Sequence, residues 1–154
     1  MNALALGLML APALAWAVYR WVVPEVVWWL YRRSLPHHRL EPPNIDEGAG
    51  IVDVQYWAGT YDCRKADLEV DLIIPQADYW MIGVYDCYAR GLAGGHLCHR
   101  DVVTSPGQTM RIAVSQVARQ GAWLDVSSSP RGLLVFRVLR SAGPVEHPAL
   151  RECV

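Results

Sequence analysis

Two hydrophobic patterns divide the chain near residue 50. Residues 3–23 form an almost continuous apolar run, whereas apolar and polar positions alternate from Ile51 onwards. Between them, residues 34–50 contain three prolines and two glycines and show no apolar periodicity. These patterns predict a membrane anchor with an interfacial helix over residues 1–33, a linker over residues 34–50 and a β domain over residues 51–154.

The apolar run predicts one transmembrane helix followed by a short interfacial helix. A bilayer core of about 30 Å requires about 20 helical residues. Residues 3–23 have this length if the long side chain of Arg20 reaches the interface. Pro24 and Glu25 are typical of the first turn of a new helix. The next segment, VVWWLYRR, is too short to cross again, and its tryptophans and arginines suit the interfacial region.

A cleaved signal peptide is the alternative, because Ala13-Leu14-Ala15 resembles a cleavage site. No basic residue precedes the apolar run, which favours a retained, single-pass membrane anchor. Basic residues on its C-terminal side indicate a cytoplasmic globular domain, and an extracytoplasmic domain stays open as the opposite orientation. These basic residues are Arg20, Arg32, Arg33 and Arg39.

Small residues in the apolar run allow close packing against another membrane helix. Gly7, Ala11 and Ala15 recur every four residues, a spacing that places them on one helix face. Together with Trp28 and Trp29, they are the predicted contacts with integral-membrane protein subunits, and the lipid bilayer is the second predicted partner. An ordinary alanine- and leucine-rich anchor without a protein partner is the alternative.

Alternation with a period of two predicts a mainly β domain. Leu68, Val70 and Leu72 alternate with acidic residues, as in a half-buried strand. The segments DYWMIGVYDCY and GLLVFRVL are apolar on both faces, which is typical of central strands. Turn signals separate about six or seven such segments, and no long helical pattern follows residue 50. The predicted fold is therefore an antiparallel β-sandwich or barrel-like domain behind the anchor.

Composition and motifs exclude several classes of function. The net charge of −1 gives no indication of a nucleic-acid partner. The sequence contains no P-loop, dinucleotide fingerprint, G-x-S-x-G or H-E-x-x-H motif. We therefore predict neither a bound cofactor nor a catalytic residue.

The segment HLCH contains weak candidates for a metal site, His96, Cys98 and His99. On a strand, His96 and Cys98 share a face while His99 points away. A structural zinc site would need two more ligands from distant parts of the chain. A Cys98 nucleophile with a histidine base and Asp101 as its orienting group is a further alternative. The sequence favours a polar connection between strands.

The four cysteines have no C-x-x-C spacing, which argues against a structural zinc site. In a reducing cytoplasm they are expected to be free thiols. In an oxidising compartment, Cys63 and Cys87 are the first expected disulfide, because both end YDC segments. Cys98 and Cys153 are the other two cysteines.

Two segments resemble the C-terminal domain of the DUF1214 family, a domain of unknown function. PQADYWMIGVYDCY resembles the family's proline-x-x-x-Tyr-Trp segment, which runs into a strand. AWLDVSSSPRGLLVFRVL resembles its Trp-Leu-Asp turn, followed by a glycine and an apolar strand with an arginine. The resemblance covers roughly residues 51–150 and implies an all-β fold rather than a reaction. The matching residues are Pro75, Tyr79, Trp80, Trp123, Leu124, Asp125, Gly132, Phe136, Arg137 and Pro148.

The chain departs from the family in the turn after Trp-Leu-Asp. Family members often have a threonine, glycine, histidine and acidic residue there, whereas this chain has VSSSPR, so any chemistry of that histidine and acid is absent. Structural roles account for the other matches. Trp80 and Trp123 can cover the ends of a small core, and Asp125 can accept backbone N–H groups. Arg137 is expected to pair with Asp125 or Asp86.

The expected function is that of a non-catalytic accessory subunit of a larger integral-membrane protein complex, with respiratory and photosynthetic complexes as candidate hosts. One helix would anchor the subunit, and the β domain would brace the aqueous face of the complex. A membrane-tethered enzyme or a small-ligand-binding β-sandwich is the first alternative, with its site at His96, Cys98, His99 and Asp101. A homo-oligomeric scaffold is the second.

Overall fold

A computed structural model of the protein describes residues 11–42 and 53–153. Eight strands form two four-stranded sheets within this part of the chain. The strands are β1 (Val54–Asp62), β2 (Leu68–Ile73), β3 (Ala77–Tyr85), β4 (Gly91–Cys98), β5 (Thr109–Ser115), β6 (Ala122–Asp125), β7 (Arg131–Ser141) and β8 (Ala149–Glu152). Sheet A has the order β1-β7-β3-β4 and sheet B the order β6-β5-β2-β8.

The inward faces of the two sheets share one hydrophobic core, so the mainly β sandwich is observed as predicted. The alternating residues Leu68, Val70 and Leu72 are fully buried in it. The two segments that are apolar on both faces form β3 and β7, the central strands of sheet A. One pairing differs from the antiparallel prediction, because β5 and β6 run parallel, with Ile112 beside Ala122.

The N-terminal part of the described chain is one continuous helix of 24 residues, from residue 11 to residue 34. A π turn at Val18–Val22 interrupts its α geometry. We call residues 11–22, which end with this turn, the helical arm, and Val23–Ser34 helix α1. Pro24 explains the turn, because its ring has no N–H and would clash with the carbonyl four residues earlier. The N–H of Val23 instead binds the oxygen of Val18, five residues earlier.

In the part of the chain that the structure describes, no helix combines the length and the apolar character needed to cross a membrane. From Arg20 onwards the described helix carries four charged residues, Arg20, Glu25, Arg32 and Arg33, so its second half is not the apolar stretch that a span requires. The transmembrane helix predicted over residues 3–23, the fold class that includes it and the single-pass membrane localisation are therefore wrong. Gly7 lies outside the described residues.

The first residues after α1 lie along the free edge of β1. His37 pairs with Thr60 as a parallel bridge, and Glu41 pairs with Ala58 as an antiparallel bridge. Between them, Leu40 is buried in the core of the sandwich. Residues 36–41 therefore cover the edge of sheet A, although they fall within the predicted linker.

His37 connects this edge segment to α1. Its Nδ1 lies 3.0 Å from Thr60 Oγ1, and its ring meets the Trp28 ring edge-on, with centroids 6.2 Å apart. Burial lowers the pKa of His37 below its ordinary value, and the neighbouring charges of His38 and Arg32 lower it further. The neutral imidazole is therefore the form that suits the folded structure.

The attachment of the edge segment should weaken as the pH falls below about 6.5, the ordinary pKa of histidine. The unfolded chain binds a proton there while the folded chain resists it, so stability is complete above this pH and is lost as the pH falls. Hydrogen exchange of the His38 amide, which donates to the Thr60 carbonyl at 2.9 Å, measures the effect after correction for intrinsic rates. His37→Gln should remove the pH dependence. Unchanged protection of that amide down to about pH 5 would contradict the prediction.

Candidate functional site

The segment that contains the weak metal candidates forms the end of β4 and a tight turn. His96 and Cys98 lie on the outer face of sheet A, opposite Gly83 and Met81 of β3. Asp101 closes the turn, since its Oδ2 accepts the Cys98 N–H at 2.7 Å and its own N–H donates to the Cys98 oxygen at 2.9 Å. The hydrogen bonds from Cys98 lower the pKa of Asp101. Asp101 thus stabilises a turn rather than orienting a histidine.

His99 follows the end of β4 and contacts β3. Its backbone N–H donates to the Trp80 oxygen at 3.2 Å, and its ring meets the Tyr79 ring edge-on, with centroids 5.1 Å apart. Within residues 11–42 and 53–153, no cluster of three or more His, Cys, Asp or Glu side chains is arranged to hold a metal ion. His96, Cys98 and His99 therefore do not converge on one point, which gives no support to the metal or nucleophile alternatives.

All four cysteines are free thiols, so the Cys63–Cys87 disulfide considered for an oxidising compartment is not formed. Cys63 is buried, and its Sγ donates to the Val114 oxygen at 3.5 Å. Burial raises the pKa of Cys63 to about 12. A thiol with this pKa is protonated at neutral pH and does not act as a nucleophile.

Three of the residues that carry the family resemblance have structural contacts. Trp80 is buried in the core. Trp123 is half-buried, and its Nε1 donates to the Ser115 oxygen at 3.1 Å. Asp125 Oδ1 accepts the Ser127 N–H at 2.8 Å, at the start of the serine-rich turn.

Arg137 does not form either of the predicted ion pairs. Asp86 and Asp125 each close a turn of their own backbone, and neither carboxylate contacts the arginine. Its guanidinium lies over the Tyr79 ring instead, with Cζ 5.5 Å from the ring centroid. Burial lowers the pKa of Arg137, but hydrogen bonds to Tyr79 and Tyr56 outweigh this effect and raise it overall.

The outward side chains of sheet A around Arg137 are mostly apolar or aromatic and only half-buried. The register places Tyr56, Arg137 and Met81 in one row across β1, β7 and β3. Ala58 and Val135 lie in the row on one side, and Leu139 and Tyr79 lie in the row on the other. We call this surface the apolar face; it consists of Tyr56, Ala58, Tyr79, Met81, Val135, Arg137 and Leu139.

The outer face of sheet B has the opposite character. Glu69 and Asp71 point outward from β2 and pair with arginines on both neighbouring strands. Arg111 Nε lies 3.1 Å from Glu69, and Arg151 Nη1 lies 3.1 Å from Asp71. This is the charged outer face expected of an antiparallel sheet exposed to water. The apolar face of sheet A departs from that rule, and such a surface is typical of an interaction site.

Helix α1 packs against the sandwich at the Arg131 end of β7, six residues from Arg137. The Trp28 side chain is only 5% exposed, and the Arg131 guanidinium lies 5.6 Å from its ring centroid. Arg131 also donates to Glu25 at 2.9 Å and lowers the pKa of that carboxyl. Trp28 therefore attaches α1 to its own sandwich and leaves little of its surface for the predicted partner contact. Trp29, which is 56% exposed, remains accessible.

The helical arm has almost no cover from the sandwich. Ala11 and Ala15 are exposed on it, and large apolar side chains are exposed around them. The arm meets the sandwich at Tyr88, whose ring stacks on that of Tyr19 with centroids 5.9 Å apart and whose hydroxyl donates to the Tyr19 oxygen at 3.3 Å. The exposed large apolar residues of the arm are Leu14, Trp16, Val18, Tyr19, Trp21 and Val22.

The apolar face was not predicted, although the sequence contains a signal for it. The β3 and β7 segments are apolar at both odd and even positions. In a two-sheet sandwich only one set of these positions faces the core, so the other set marks an outer surface that is not adapted to water.

Several solved chains resemble this fold, among them the following two. An uncharacterized protein from Burkholderia cenocepacia gives a TM-score of 0.67 at 19% identity, over 80% of this chain and 36% of that one. The VPA0106 protein from Vibrio parahaemolyticus gives a TM-score of 0.51 at 14% identity, over 84% of this chain and 35% of that one. At such identities the likeness shows the fold alone, and this chain spans only about a third of each protein.

No protein-family model matches the chain, and no curated protein matches it. The resemblance to the DUF1214 family therefore stays a prediction. What the fold and the surfaces define is a β-sandwich with an attached helix, an exposed helical arm and one apolar sheet face.

Proposed function

We propose that the protein is a non-catalytic accessory subunit, which joins a larger protein assembly through its helical arm. The exposure of the arm carries this proposal, because Trp16 is 64% and Trp21 is 66% exposed on it. Apart from Arg20 the arm is apolar on every side, and a helical segment of this kind is normally buried where it functions. The partner that fits this arm is another protein subunit with an apolar groove, into which the arm would dock.

The contacts of α1 support the proposal, because they fix the arm to the sandwich at one place. Trp28, the Glu25–Arg131 ion pair and the Tyr19–Tyr88 stack all lie between the helix and the sandwich. The arm is thus held ready for docking, which reduces the entropy that binding would cost.

The exposed aromatic residues also have the chemistry of an interface. The Arg20 guanidinium lies 5.3 Å from the Trp21 ring centroid, and the Arg33 guanidinium lies 5.3 Å from that of Trp29. Tryptophan and arginine are the residue types that contribute most binding energy at protein interfaces. The predicted integral-membrane subunits and lipid bilayer stay predictions, and the experiment below distinguishes these partners.

Photo-crosslinking in the native cells tests the proposal. A photoreactive benzoylphenylalanine at position 16 of the full chain should form an adduct with one defined polypeptide of different sequence. The same group in place of Arg111, on the charged face of sheet B, should form no such adduct. An adduct of twice the chain mass would indicate self-association, and an adduct with lipid would indicate a membrane surface; either result would overturn the proposal.

Matched substitutions show whether the arm carries the binding energy. Trp16→Glu should reduce co-purification of the crosslinked polypeptide by about 10-fold or more, the effect expected for an interface tryptophan. Val117→Glu, at an exposed apolar residue outside the arm, is the control and should leave it unchanged. Equal losses in the two variants would contradict a specific role of the arm.

A further inference from the structure

We infer that the apolar face, with Arg137 at its centre, is a second docking surface, which binds a carboxylate-bearing apolar segment of a partner protein. The inference is independent of the helical arm, since Arg137 lies on the part of sheet A that α1 does not cover. Its occupant is an extended or helical peptide segment in which an aspartate or glutamate is flanked by apolar side chains.

The position of Arg137 is the first argument. It lies on the central strand β7, between Tyr56 of β1 and Met81 of β3, with Cys98 of β4 beyond Met81 in the same row. The Tyr79 ring lies against the guanidinium on one side. Because strands and rings hold it from several sides, the cation has a fixed place in the middle of an apolar surface.

The charge of Arg137 is the second argument. Of the eight other arginines in the described sandwich, seven have a carboxylate partner within 4.0 Å, and the eighth, Arg100, is exposed to water. Arg137 has no carboxylate partner among the described residues; its guanidinium lies over the Tyr79 ring, and Tyr56 is its neighbour on β1. A guanidinium has five N–H donors, and a half-buried cation gains most from a pairing carboxylate. The seven paired arginines are Arg64, Arg90, Arg111, Arg119, Arg131, Arg140 and Arg151.

The surroundings of Arg137 are the third argument, and they indicate a protein segment rather than a free carboxylate. Ala58, Val135 and Leu139 extend the apolar surface along the strands on both sides of the arginine. The face has no acidic or lysine residue. Interface cores are rich in tyrosine, methionine and arginine and poor in lysine and acidic residues, and this face has that composition. A carboxylate with apolar neighbours would match both the positive charge of Arg137 and the apolar surface on its two sides.

Binding of defined peptides to the full chain tests the inference. The probe is an acetylated and amidated Leu-Glu-Leu-Glu-Leu peptide, and the matched control replaces both glutamates with glutamine. The readouts are the ¹⁵N signal of Arg137 Nε and the ring signals of Tyr79 in nuclear magnetic resonance titrations. We expect the glutamate peptide to shift both signals and to bind about 10-fold more tightly than the glutamine peptide.

Substitutions locate the site and guard against misfolding. Arg137→Gln should weaken binding of the glutamate peptide by about 10-fold or more. Arg137→Lys, which keeps the charge without the planar fork, provides a second variant and should bind with intermediate affinity. Arg140→Gln, at an exposed arginine three residues along β7, is the control and should change affinity less than twofold.

Three outcomes would overturn the inference. Equal affinity of the two peptides would show that Arg137 does not recognise a carboxylate. Equal affinity of free hexanoate and the glutamate peptide would show that the site takes a small ligand. A peptide that leaves the Arg137 signal unmoved would place binding elsewhere. Trp16→Glu should not alter peptide affinity, so failure of this inference is distinguishable from failure of the proposed function.

Discussion

Replacing Phe136 with alanine should lower the free energy of unfolding by about 4 kcal/mol, because it empties the centre of the core. Phe136 is fully buried on β7, and its ring packs against Trp57 with centroids 5.3 Å apart. The substitution removes a large apolar surface and leaves a cavity that rigid neighbouring strands fill poorly. For a domain of about 100 residues this loss corresponds to roughly 15–30 °C in Tm. Urea unfolding of the full chain measures it.

The neighbouring residue on the same strand is the control for Phe136. Val135 points outward onto the apolar face and is half-buried. Val135→Ala should therefore cost about 1 kcal/mol or less. If both variants lost the same amount, the assignment of inward and outward faces on β7 would be incorrect.

Replacing Gly59 with alanine should separate residues 36–41 from the edge of β1. A Cβ at this position would overlap the backbone carbonyl of Arg39, which cannot move without breaking the bridges of the segment. We expect a cost of about 3 kcal/mol, at the upper end of the range for overpacking. Amides that bond the segment to β1 should lose roughly 100-fold of their protection against hydrogen exchange. The reporting amides are Thr60, which donates to Pro36, and Ala58, which donates to Glu41.

Gly143→Ala is the matched control for this substitution. A Cβ at Gly143 meets no heavy atom within 4 Å. Its effect on the free energy of unfolding should stay within about 0.5 kcal/mol. Full protection of the Ala58 amide in the Gly59→Ala variant would show that the edge segment tolerates the added methyl group.

The sequence allowed the β domain to be predicted because the signals for it are local. Alternation at Leu68, Val70 and Leu72 specifies one buried face without knowledge of any partner strand. The apolar character of the β3 and β7 segments likewise predicted central strands correctly. Asp125 before a serine-rich turn needs only its own backbone to form its hydrogen bond.

Features that depend on distant residues could not be predicted in this way. Trp28 and Trp29 are adjacent and chemically identical, yet one is buried and the other exposed. The choice between them depends on how α1 docks beside Arg131. Similarly, Arg137 was predicted to form an ion pair with Asp86 or Asp125, because the sequence shows which residues are charged. It does not show that both carboxylates accept hydrogen bonds from nearby backbone N–H groups.

The incorrect transmembrane prediction has a comparable cause. Hydropathy sums residues along a window, and the apolar run is long enough only if Arg20 is counted at its end. In the described structure Val23 and Val27 after it are partly covered and belong to a helix that packs on the sandwich. The same apolar residues are therefore compatible with a transmembrane helix and with a helix that packs on a domain, and periodicity alone does not distinguish these two structures.

The π turn before Pro24 determines the rotation of the arm about the helix axis. An α-helix rotates by about 100° per residue, and a π turn holds about one residue more than an α turn. The arm is therefore rotated by roughly 100° about its axis relative to an uninterrupted helix, so Trp16 faces a different quadrant from the one that continuous α geometry would give. A single proline thus determines the direction in which the tryptophans of the arm face, and therefore the side from which another molecule can approach them.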